Sequence, residues 1–412
     1  MRQRGEFSHN NYSIKFYMKI FIVGAGGVAS ALCKCLTKER TISKVTCGSF
    51  DVDKAKEYID TKPKKINLLN KRLDASNISQ VAKEINGYDL VINASLPNHN
   101  ESIMKAALAS KANYQDLCSY MLDYKTIEQL KYHDRFRQAG LVGLINTGVS
   151  PGITNILAAE GKDKFEEVNE IKIFSIEEQK SRQLIFAWSP EVTLLELTVP
   201  PLAYKKGKFV LVKPFSDSEK YKFPDPIGEK YTVNIEGDEV GTLPFYMKVK
   251  NISYRACGTD IDFGEALSRL GFLSKKPVKI YREKIKPVDL FIKLAPPVPT
   301  PKEMIKLVKE GVIEDAIFMS VVEILGLQKK KKMILKNIVI YPDLTEIMKR
   351  MPGATYISYP TAVAAASFVK TIPQIKMRGV FPPEALSSKI RRDILIELEG
   401  YGIKVQQEFS RT

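Results

Sequence analysis

Lys19 to Leu36 reads KIFIVGAGGVASALCKCL, an apolar run that ends in a glycine-rich turn and passes into helical periodicity. Gly24, Gly26 and Ala29 fit the spacing G-x-G-x-x-G/A. The first small residue permits a tight turn, the second lets a pyrophosphate approach the backbone, and the third lets helix and strand pack closely. From Gly27 and Val28 onward the helix start offers N–H groups and a positive dipole end to phosphates. A tight turn between two core elements would use the same glycines. The strand before and the helix after supply the context that dinucleotide binding requires.

Outward from this turn, strand-like runs (KIFIVG, SKVTCGSF, DLVINAS, ANYQDLC, LVGLINTG) alternate with helical ones (GVASALCKCLTKE, VDKAKEYID, Ile78 to Ile85, NESIMKAALASK, MLDYKTIEQLKYHDRFRQAG). That rhythm implies right-handed crossovers and an α/β, doubly wound parallel sheet of the Rossmann type over residues 18–150. After Gly148 the segments EVNEIKIFSIEE, RQLIFAWS, KFVLVKPFS, YTVNIEG and FYMKVKNISYRA are β-rich and broken by Pro and Gly turns, which predicts a second, α+β domain over 151–354. LAPPVPTP, Leu294 to Pro301, reads as a rigid connection. The helix TAVAAASFVKT, a final helix at Pro383 to Glu399 and a strand around Ile403 to Val405 fall in a segment, 355–412, expected to return to the first domain. Residues 1–17 are polar and read as a disordered leader.

With 44% hydrophobic and 27% charged residues among 412, the composition is that of a soluble globular chain of about two domains. The net charge of +16 raises the question of nucleic acid, but the lysines are dispersed, and Lys329 to Lys332 lack aromatic interleaving. No nucleic-acid partner, and no membrane, is expected. Five cysteines without CxxC spacing argue against disulfides and a zinc site and for the cytoplasm.

The end of the second strand should meet the adenosine ribose. If the strand stops at Gly48, Ser49 is the reader and NADP is favoured; a longer turn would let Asp51 reach the ribose and favour NAD. Lys54 and Lys56 tilt the balance to NADP, and Asp51 serves equally well as the N-cap of the next helix.

The ordered series GAGGVA, VINASLPNHNESIMKAAL, YQDLCSY, GLVGLINTGVSPGITN, FAWSPEVTLLELT and GVFPPEAL resembles the saccharopine dehydrogenase family over nearly the whole chain. The resemblance implies hydride transfer between NAD(P) and a carbon–nitrogen bond of a small amino-acid substrate, lysine- or saccharopine-related or from a polyamine pathway. It also implies a homodimer formed through the second domain. It places Asn93, Ala94 and Pro97 under the nicotinamide ribose, and Ser119 and Tyr120 facing nicotinamide and substrate. Gly148, Pro151, Gly152 and Asn155 match the family's turn at the cleft, with Trp188 and Ser189 on the inner wall of the second domain. Candidate proton handlers are Tyr120, His99 and Asp116, with entry to the following helix the alternative role of His99. Two departures stand out. Ser150 replaces the family's acidic residue before Pro-Gly, and CGTD, Cys257 to Asp260, stands where an arginine would clamp a carboxylate. These losses make saccharopine a poorer fit, and they leave a cofactor-binding sensor without turnover as the competing reading.

Overall fold

The computed structural model describes residues 17–411. The leader expected at 1–17 therefore lies almost wholly outside the described residues. Six strands, β1 (Met18–Val23), β2 (Ile42–Gly48), β3 (Ile66–Leu68), β4 (Leu90–Asn93), β5 (Asn113–Asp116) and β6 (Val142–Leu144), join a seventh, Gly379–Phe381, in one sheet. The order is β3-β2-β1-β4-β5-β6 followed by Gly379–Phe381, and every pairing is parallel. This is the doubly wound Rossmann arrangement, with its switch point between β1 and β4. The strands are buried on both faces because helices cover both sides, which is why they read as continuous apolar runs. Helix α1 (Gly27–Thr37) follows the glycine turn, and α2 (Val52–Tyr58) follows β2. The alanine-rich helix Ser358–Thr371 lies against α1, where its small side chains let the two backbones approach.

A second, nine-stranded mixed sheet is centred on the long strands Glu167–Ser181 and Ile313–Gln328, which run antiparallel. Its terminal strand, Lys404–Arg411, pairs with Lys331–Ile340. The C-terminal segment thus serves both sheets: Ser358–Thr371 and Gly379–Phe381 complete the Rossmann half, while the last strand closes the other. The strand begins where expected but extends to Arg411.

Three sequence expectations need correction. RQLIFAWS forms no strand; residues 182–189 run as an irregular wall whose Ile185, Phe186 and Ala187 are buried. Residues 121–127 are not helical, because Asp123 captures the N–H of Lys125 and Thr126 and the Thr126 hydroxyl, offering the backbone a turn instead. FYMKV ends a helix, Glu239–Tyr246, and the strand starts only at Asn251.

Candidate active site

The glycine turn is shaped as a phosphate cradle. Gly24 has φ +111°, and a Cβ there would stand 2.4 Å from the Ala94 carbonyl oxygen, so β4 approaches too closely for any side chain. At Gly26 a Cβ would meet nothing within 4 Å, leaving open space directly over the start of α1. No side chain caps that helix, so its first N–H groups remain for a ligand. Ala29 is buried against the sheet. A cavity of 620 Å³ extends from Gly24, Gly26, Gly27 and Val28 to Ser49. An open cradle, uncapped N–H groups and a cleft of this size fit a dinucleotide.

β2 ends at Gly48, so Ser49 is the first residue beyond the strand. The Asp51 carboxylate accepts from Lys54 N at 3.0 Å and caps α2, which engages it in its own helix. A basic group not anticipated from sequence stands beside Ser49. Leu73 N donates to Ser49 O, and the neighbouring Arg72 guanidinium lies 3.3 Å from the centre of the Phe50 ring.

At the other end, Asn93 is buried and braces its own loop. Its Oδ1 accepts from Ser95 N and Oγ, and its Nδ2 donates to Asn100 Oδ1 at 2.7 Å. This fixes Ala94 against Gly24 and brings Leu96 and Pro97 to the cleft. His99 lines neither cavity; it enters the helix Asn100–Ser110, and its carbonyl accepts from Ser102 Oγ. This is the helix-entry position that its place in LPNHN allows. Asp116 is also away from the cleft, its carboxylate accepting from Asn146 N and Gln129 Nε2, and burial pushes it up to about 7.

A second cavity of 320 Å³ adjoins the first, and Leu96, Pro97, Cys118, Ser150, Glu177 and Trp188 line both. Tyr120, 41% exposed, lines this chamber with Ser119, whose Oγ donates to Asn146 Oδ1 and whose N–H donates to Asp238 Oδ2 at 2.7 Å. Pro151 lines it as well, but Gly148, Gly152 and Asn155 lie behind the wall. Gly152, with φ +133°, passes so close to Gly148 that a Cβ would stand 2.0 Å from its oxygen. Asn155 accepts from Gly152 N and donates to Glu384 Oε2 at 3.0 Å, tying the turn to the C-terminal PPE segment.

The chamber's charge was not legible beforehand. Among the described residues, Glu177, Glu191, Glu196, Glu236, Asp238 and Asp260 line it, against a single cation, Lys275. Burial pushes Asp238 up to about 7; burial and the Asp238 charge push Glu236 up to about 8, and burial drives Glu196 well above the usual range. Ser150 Oγ donates to Glu239 Oε1 at 2.7 Å, a buried carboxylate behind the chamber wall that Thr154 Oγ1 also reaches. Arg255, two residues before CGTD, does not face the chamber; it is buried among Thr232, Asn234 and Asp217. The acids of VNIEGDE, crowded just past a strand end, were the one sequence signal of this lining.

The sequence profile of the saccharopine dehydrogenase NADP binding domain matches residues 20–144, and that of the saccharopine dehydrogenase C-terminal domain matches 148–403. The chain belongs to the saccharopine dehydrogenase family. This saccharopine dehydrogenase-family chain is 26% identical over 287 residues to carboxynorspermidine synthase of Vibrio alginolyticus, covering 64% of this chain and 69% of that protein. It is 27% identical over 298 residues to carboxyaminopropylagmatine dehydrogenase of Synechocystis sp., covering 68% and 73%. Apo saccharopine dehydrogenase (L-Glu forming) of Saccharomyces cerevisiae shares the fold with TM-score 0.69 at 14% identity, covering 95% of this chain and 100% of that one. The protein is an NAD(P)-dependent oxidoreductase acting on amine carbon–nitrogen bonds. Among the described residues no helix is long and apolar enough to cross a membrane.

Proposed function

We propose that this enzyme is an NADP-dependent dehydrogenase that makes or breaks the secondary-amine bond of a polycationic, polyamine-type substrate. The observation that carries the reading is the chamber of six carboxylates and one lysine beside the cofactor cleft, in a chain of net charge +16. Negative charge gathered against the overall balance suits a cation with several ammonium groups. Saccharopine's three carboxylates would each meet like charge there, which disfavours the lysine-pathway reading. The names of the two curated relatives, both polyamine-type, support the same choice.

Bound at Gly24, Gly26 and the start of α1, the dinucleotide supplies or accepts the hydride. Glu196, Glu236 and Asp238 hold the distal ammonium groups, and Leu96, Pro97 and Trp188 exclude water where the two cavities meet. Ser49 and Arg72 favour the 2′-phosphate of NADP. A homodimer through the second domain is supported by the exposed side chains Leu270, Tyr281 and Leu294, and light scattering tests it. Five unbridged cysteines support a cytoplasmic setting. The deciding experiment is NADP⁺ reduction with spermidine, norspermidine and carboxynorspermidine beside saccharopine and lysine. Turnover confined to polyamines is expected; turnover confined to saccharopine or lysine, or none with any amine, refutes the reading.

A further inference from the structure

Glu177 lies on the strand Glu167–Ser181, which runs parallel to Asn251–Gly258, and Gly258 stands directly opposite it. Gly258 has φ +108°, and a Cβ there would come within 2.1 Å of the Glu177 carbonyl oxygen. The helix Thr259–Arg269 starts at the next residue, with Asp260 in its first turn, so that the Asp260 charge acts on Glu177. Glu177 Oε2 and Asp260 Oδ2 are both closed off from solvent and have no hydrogen-bond partner. Among the described residues neither carboxylate forms an ion pair, though Glu177 lines both cavities and Asp260 lines the chamber.

We propose that Glu177 and Asp260 form a proton-sharing carboxyl pair that handles the proton at the reacting nitrogen. Two adjacent carboxylates in a dry site cannot both ionise, so one proton stays with the pair near neutrality. Burial and the Asp260 charge push Glu177 upward accordingly. The titratable groups facing the pair are Glu196, from the helix Pro190–Glu196, Tyr254, on the strand that carries Gly258, and Tyr356. None of them brings a positive charge. The cation that balances the pair must therefore come with the substrate.

This assignment rests on the polyamine reading and deepens it. In the reductive direction the imine carbon takes the hydride, the C=N π pair becomes the nitrogen lone pair, and the pair's proton goes to that nitrogen. The carbon–nitrogen double bond becomes a single bond, the reduced dinucleotide is the reductant, and the chamber restores the proton from solvent. In the oxidative direction the same pair takes the proton away. CGTD, which displaces an arginine clamp, thus supplies Asp260 as half of an acid–base pair at the junction of the two cavities.

The test uses the full-length enzyme. Calorimetry of spermidine binding at pH 7, in buffers of different ionisation enthalpy, should show about one proton fewer released by Glu177→Gln than by the wild type, the protons that leave Glu196, Glu236 and Asp238 being common to both. Both Glu177→Gln and Asp260→Asn should lower kcat about 100-fold and remove the limb of its pH profile near neutrality, with NADPH affinity unchanged. A Glu177→Gln enzyme that releases as many protons as the wild type, or keeps kcat within about threefold, overturns the assignment. Failure of the wild type to bind spermidine refutes the polyamine reading instead. The pair is then decided in ligand-free wild type by carboxyl ¹³C NMR: a proton lost near neutral pH supports it, and both groups ionised by about pH 5 overturns it.

Discussion

Replacing Glu236 by Gln should stabilise the free enzyme in alkaline buffer and weaken its grip on a polyamine. Burial and the Asp238 charge raise the Glu236 carboxyl from 4.5 to about 8, so between these pH values the folded chain holds a proton that the unfolded chain has released. The wild type therefore loses stability as pH rises through that window, and the loss is complete above it. At about 1.36 kcal/mol per pH unit the displacement is worth at most about 5 kcal/mol, and water admitted to the chamber brings it nearer 2 kcal/mol. Glu236→Gln removes this penalty. Its Tm at pH 8.5 should exceed that of the wild type by roughly 2–4 °C, while at pH 5 the two should coincide. With spermidine present the ranking reverses, because a carboxylate–ammonium contact at about 4 Å is worth about 4 kcal/mol before desolvation. A net loss of roughly 10- to 100-fold in affinity is expected. Thermal shift at the two pH values, with and without spermidine, reads both effects. A variant less stable than the wild type at pH 8.5, or one that binds spermidine equally well, would refute the reasoning.

Gly26→Val fills the open space above α1, so NADPH fluorescence titration should show binding lost while Tm stays within about 2 °C. Arg72→Ala should weaken NADP at least about 10-fold and leave NAD within about twofold, a ratio read directly from the two Kd values. Asn155→Ala leaves Gly152 N and Glu384 without their partner and should cost about 1–3 kcal/mol in denaturant unfolding, with KM for the amine little changed.

The cofactor half was legible because its signals are local. Strand, glycine turn and helix occupy consecutive residues; backbone geometry demands Gly24, and Gly26 leaves the space over α1 open, at a spacing that a simple rule captures. The end of β2 at Gly48 and the capping of α2 by Asp51 are local as well, and both Ser49 and Asp51 line the cofactor cleft. The substrate half was not legible because its groups come from separate places: Glu177 from one strand, Glu196 from a helix, Asp238 from a turn and Asp260 from another helix start. No periodicity links them, and only the parallel register of Gly258 against Glu177 brings two of them together. Ser150 shows the same limit. Read alone, it announced a lost carboxylate, and nothing local tells that its hydroxyl donates to Glu239, 89 residues away. His99 lies in a motif that reaches the cleft, and the structure places it at the entry to the helix Asn100–Ser110, the local role its position also allowed.

The opposition between an acidic chamber and a chain of net charge +16 also bears on the order of events in solution. Within a Debye length of about 10 Å of the basic exterior, an approaching polycation meets repulsion, and only inside the chamber mouth does the sign reverse. An anionic dinucleotide is drawn in from a distance and, once seated at the junction of the two cavities, adds its own negative charge to the entrance. Capture should therefore run dinucleotide first and amine second. In stopped-flow measurements added salt should slow the first association and hasten the second, two opposite ionic-strength responses from neighbouring sites on one chain.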